Sequence, residues 1–110
     1  MATERYLKEN PTVIQSWTNA MAKALKWTDS AQTAEVVKVL VEFFPGIEPQ
    51  LLGAAVERYK GIKIWKTSPL IEPQPIRRFE GILVEGGVLE STKRVKYENL
   101  VATEFAQKAR

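Results

Sequence analysis

The chain has 110 residues, 45% of them hydrophobic and 26% charged, enough for one domain, or a piece of one, with a modest core. Its net charge of +3 is scattered, and the longest basic clusters, the pair Arg77 and Arg78 and the trio Lys93, Arg94 and Lys96, fall short of a nucleic-acid footprint. Cysteine and histidine are absent, which excludes a disulfide, a thiolate nucleophile, a Cys/His zinc site and an imidazole base.

The opening "MATERYLKEN" is polar and has no apolar h-region, so it does not read as a signal peptide. No apolar run reaches the roughly 20 residues that span a bilayer. The chain as it stands therefore reads as cytoplasmic, without a membrane span, unless a longer protein supplies the missing beginning. Thr3–Glu9 predicts a helical turn or two.

"ENPTVIQSWTNAMAKALKW" predicts the first long helix. Asn10 suits the N-cap, and Pro11 suits the first helical position, where its missing N–H costs nothing. Val13, Trp17, Ala20, Met21 and Ala24 recur at helical spacing and predict the inward face, with Ile14 and Leu25 on its flank. "TDSAQTAEVVKVLVEFF" predicts a second helix capped at Asp29 or Ser30, with an apolar stripe of Val36, Val37, Leu40, Val41 and Phe44. "PGIEP" stops it. "EPQLLGAAVERYK" predicts a third helix, with Pro49 near its start, a buried side of Leu52, Ala55, Val56 and Tyr59, and Gly61 as the C′ residue.

The segment "GIKIWKTSPLIEPQ" predicts a loop holding Trp65. A fourth helix follows from Glu72 to Glu85, with Pro73 and Pro75 in its first turn and Ile76, Phe79, Ile82 and Leu83 inward; Gly86 and Gly87 end it. After a polar linker, a short helix around Asn99–Lys108 presents Leu100, Val101 and Phe105. No alternating segment exceeds "IKIW". The predicted class is all-α, five or six helices, forming one helical segment over residues 3–109.

No chemistry-bearing motif emerges. "EGGV" follows a helix and so reads as a stop, not a phosphate loop. Glu80 and Glu85 lie five apart on a helix, so their side chains diverge onto a solvated face. Asp29 and Ser30 read as a cap, and Ser68 has no histidine to activate it. No catalytic residue, metal ligand or cofactor is predicted, and the chain does not read as an enzyme. Trp17, Phe44, Tyr59, Trp65, Phe79 and Phe105 are the predicted packing anchors.

The order of "NPTVIQSWTNAMAKALKW", "AEVVKVLVEFFPGIEPQLLGAAVERYK", "IWKTSPLIEPQPIRRFEGILVEGGVL" and "YENLVATEFAQKA" resembles the C-terminal third of ABC-transporter substrate-binding proteins of the nitrate/sulfonate/taurine class, which are related to thiamine-precursor binding proteins. The shared features are an Asn-Pro helix start, a helix ending in an FPG-(I/V)-(D/E)-P turn, a LERY-like helix, an (L/I)W loop, a helix ending in GVL and a closing Y-E-x-L-V-x-x-x-F-A. Each is short; their order carries the resemblance, from about Thr3 to Ala109.

The resemblance implies a helical part of a two-lobed α/β protein that carries a small anion, such as nitrate, an alkanesulfonate, taurine or bicarbonate, to an ABC permease outside the cytoplasm, periplasmic or lipid-anchored. Ligand contacts in that family come mainly from its N-terminal and middle portions, so no ligand-binding residue is carried onto this chain. The partners implied are the missing N-terminal lobes and, through them, the permease. Trp65 then reads as an anchor, mostly buried, that pins a crossover; a contact with ligand or transporter is the other reading. Helices built to cover a sheet would leave apolar faces open on Trp17/Met21 and Val37/Val41/Phe44, which predicts a homodimer for the isolated chain. The alternative function is a free-standing helical interaction or regulatory module.

Overall fold

The computed structural model describes residues 2–110. They form α1 (Glu4–Glu9), α2 (Pro11–Ser30), α3 (Thr33–Leu40), α4 (Pro49–Gly61), α5 (Pro73–Glu85), a 3₁₀ turn (Ser91–Lys93), α6 (Tyr97–Leu100) and α7 (Thr103–Gln107). No strand occurs among the described residues, so the class is all-α as predicted. The helices number seven rather than five or six, partly because the closing helix breaks. Val101 lies in the β region at φ −128°, ψ 113°, which separates α6 from α7.

Two compact units divide the chain: residues 2–18 with 70–109, and residues 19–69 with Arg110. In the first unit the Thr3 hydroxyl caps α1 by accepting from the Tyr6 N–H at 3.2 Å. Asn10 stands where its predicted role requires, since its carbonyl accepts the first bond of α2 from Ile14 N–H. Its side chain turns back, however, and donates to the Tyr6 carbonyl of α1. Gln15 donates to the Phe105 carbonyl at 2.9 Å, tying α2 to α7. The Tyr97 hydroxyl donates to the Ile71 carbonyl, which tethers α6 to the entry of α5.

In the second unit α2 runs through Asp29 and Ser30, so neither caps the next helix. The Ser30 hydroxyl instead donates to the Lys26 carbonyl one turn back, at 3.0 Å. The cap of α3 is Gln32, in a capping box with Glu35, whose carboxylate accepts from the Gln32 N–H at 3.1 Å. α3 and α4 pack together over Val36, Leu52 and Val56, all buried. Gly53 allows the approach; a Cβ placed there would meet Val37 and Thr33 methyls at 3.8 and 3.9 Å. Between these helices, Phe44-Pro45-Gly46-Ile47 closes with an Ile47 N–H to Phe44 carbonyl bond, and Gly46 at φ 86° takes the position a type II turn reserves for glycine.

α4 and α5 end in the same way. Ile64 N–H reaches the Tyr59 carbonyl and Lys63 N–H the Lys60 carbonyl; Val88 N–H reaches Leu83 and Gly87 N–H reaches Val84. Both are Schellman motifs, with the left-handed position held by Gly87 (φ 70°) after α5 and by Lys63 (φ 51°) after α4. The predicted C′ glycine, Gly61, is still helical, two residues short of the turn.

Candidate functional site

The polar groups singled out in the sequence do not converge. Glu80 spends its carboxylate on the backbone N–H of Val95 at 3.1 Å, fixing the segment after the 3₁₀ turn against α5. Glu85 is exposed at the far end of the helix. A shallow groove beside that contact is lined by Ile76, Arg77, Glu80, Lys96, Tyr97 and Glu98, cations and carboxylates interspersed, so it offers no field of one sign. No group of three or more Asp or Glu placed to hold a metal occurs among the described residues. On α1, Lys8 Nζ sits 2.7 Å from Glu4 Oε1 and draws the Glu4 carboxyl below its ordinary range by hydrogen bonding and charge.

What the elements present instead is apolar surface. α2 turns inward the row Ile14, Thr18, Ala22 and Leu25; Ile14 and Leu25 are half-buried, Ala22 is almost fully covered, and Thr18 is buried and satisfies its hydroxyl on the Ile14 carbonyl at 2.8 Å. This corrects the predicted inward face. Small Thr and Ala side chains take the inward row, and the bulky row beside it, Val13, Trp17 and Met21, faces out, with Trp17 63% exposed. α5 is rotated in the same sense. Ile76, Glu80 and Leu83 are half-buried, whereas Phe79 and Ile82, predicted inward, are 57% and 65% exposed.

The second unit has its own open face. Val41, Phe43, Phe44, Ile47 and Leu51 are all exposed around the type II turn, Phe43 by 72%. Of the predicted anchors, Trp17, Phe44, Tyr59 and Phe79 are therefore exposed, and Trp65 and Phe105 are half-buried. Trp65 is half-buried, less covered than predicted. It meets Tyr59 edge-on at 5.5 Å and 87°, and Tyr59 is itself open to solvent.

The chain exposes 8978 Å². A compact monomer of 12.4 kDa exposes about 6,100 Å². Even two separate globules of half that mass would together expose only about 7,400 Å². The sequence signalled which residues were apolar; it did not signal which stripe of each helix would stay open, because both stripes have helical spacing.

Comparison with known proteins gives one informative match. The chain is 27% identical over 108 residues to a Bacillus subtilis (strain 168) protein named "Putative binding protein YtlA"; the match covers 98% of this chain and 32% of the relative. The chain thus spans about a third of the length of the relative it matches. No protein-family model matches the chain, and no solved structure matches it. No helix among the described residues is long and apolar enough to cross a membrane.

Proposed function

We propose that this chain is the C-terminal helical part of a solute-binding component of an ABC importer for small anions such as nitrate, a sulfonate, taurine or bicarbonate. It performs no catalysis and does not hold the solute by itself. The observation that carries the reading is the uncovered apolar surface on a chain whose whole length corresponds to a third of a larger protein named for binding. The ordered motifs from the Asn10–Pro11 helix start to the "YENLVATEFA" close support the same family. In this reading the faces around Trp17, Phe79 and Phe43 lie against the remaining lobes, which in turn carry the solute to the permease outside the cytoplasm.

The test is a chimera in which this chain replaces the matching 108 residues of the Bacillus subtilis relative. The chimera should be a monomer, and its melting temperature should rise with one anion from a panel of nitrate, taurine, alkanesulfonates and bicarbonate. The chain alone should bind none of them in calorimetry. Micromolar binding by the chain alone, at one site, would refute the division of labour. A chimera that aggregates while the chain alone is a stable monomer would favour a free-standing interaction module instead.

A further inference from the structure

The net positive charge of this molecule is concentrated between residues 58 and 71. Residues 58–71 hold Arg58, Lys60, Lys63 and Lys66 and no carboxylate, whereas the rest of the chain has one more acid than base. The cluster escapes notice in the sequence because apolar residues separate every cation from the next. The Schellman motif after α4 gathers them. Its Ile64-to-Tyr59 bond of 3.1 Å folds the chain back over the last helical turn, and Trp65 closes on Tyr59. Lys60 reaches across to the Ala31 carbonyl and is engaged there. Arg58, Lys63 and Lys66 are exposed and form no ion pair among the described residues. Between them stand Ile62 and Ile64, 60% and 54% exposed, with the open edge of Tyr59.

We propose that this cap on the end of α4 docks onto an anionic lipid membrane. Two exposed isoleucines and an aromatic pair are the side chains that gain by entering the headgroup and acyl boundary, while the long stems of Lys and Arg reach lipid phosphates beside them. A nucleic-acid backbone would pair with the cations but gain nothing from the exposed isoleucines. The α4 C-terminus, where backbone carbonyls point outward, favours cations at this position. Each basic side chain at an anionic bilayer multiplies affinity roughly fivefold, so the three open cations together supply roughly a hundredfold preference over a neutral surface. The docking surface does not depend on the parent protein being an importer component.

Co-sedimentation of the full chain with vesicles tests it, comparing phosphatidylcholine alone with a mixture containing about a third phosphatidylglycerol. The chain should partition onto the anionic vesicles at least ~10-fold more strongly, and salt of about 0.5 M should abolish the difference. The double variant Lys63→Gly/Lys66→Gln removes two charges and should lower anionic binding roughly 25-fold; because glycine relieves the left-handed turn, loss of folding cannot explain that fall. Equal binding to both vesicles, or unchanged binding by the variant, would overturn the proposal and trace adsorption to the Trp17 and Phe79 faces. Tighter binding to an oligonucleotide than to anionic vesicles would overturn it as well.

Discussion

Lys63 sits at φ 51°, where a side chain bearing a Cβ crowds the following carbonyl. The left-handed conformation costs such a residue roughly 1–2 kcal/mol, partly offset by the extra freedom glycine has when unfolded. Lys63→Gly should therefore raise stability by about 0.5–1 kcal/mol in urea unfolding; a variant less stable than wild type would mean the Schellman turn is not formed. Val56, almost fully buried in the α3–α4 contact, has the opposite sensitivity. Val56→Ala should cost about 2 kcal/mol, the scale of a small core truncation, and a neutral result would place the core elsewhere. Trp65 belongs between these cases. Fully buried, it would have cost about 3–5 kcal/mol on truncation to alanine. Half-buried against one ring, it should cost about 1–2 kcal/mol. The sequence announced that Trp65 was an anchor but not how much would cover it, because the amount depends on its neighbours and not on its own type.

Helix starts were legible because their signals are local. Pro11, Pro49 and Pro73 all stand at the first helical position, and Gly87 takes the left-handed turn after α5. Two local signals compete at the start of α3. Asp29 and Ser30 look like a cap as much as Gln32 and Glu35 do, and only the latter pair satisfies both backbone groups of a capping box. Facing was the least legible property. On α2 the bulkier row was taken for the inner one and the adjacent row is the covered one; on α5 Ile76 and Leu83 turn inward as predicted, whereas Phe79 and Ile82 do not. Gly81 lies on the interior of α5 with open space where a Cβ would go. Gly81→Ala should stabilise the chain by about 1 kcal/mol from helix propensity alone, and a loss would show that an unseen partner approaches there. At the other end of the chain, α1 carries a pH dependence. The Lys8 ammonium, by hydrogen bond and by charge, holds the Glu4 carboxyl below the usual carboxylate value. The lowered pKa means the support it gives α1 is present above that value and is lost as pH falls through the folded-state pKa. An NMR titration should place the Glu4 midpoint below that of an unpaired glutamate, and Lys8→Ala should bring it back up.

At the scale of the whole chain, the all-helical class followed from capped, 3.6-period segments and the lack of alternation. The candidate surfaces followed only in part. The open faces at Trp17 and Phe44 were foreseen from the family resemblance, whereas Phe79, Ile82 and the cationic end of α4 were not. The surface left open exceeds what two compact globules of this mass would show, and soluble monomers seldom leave apolar patches above a few hundred Å² uncovered. On the proposed reading the rest of a larger protein covers these faces, and in the isolated chain a second copy should cover them instead. Light scattering on the isolated chain at tens of micromolar measures this most directly. The account predicts a mass of at least twice the 12.4 kDa chain, falling back toward the monomer when Trp17 and Phe43 are both replaced by serine; a clean 12.4 kDa species in the unmodified chain would contradict it.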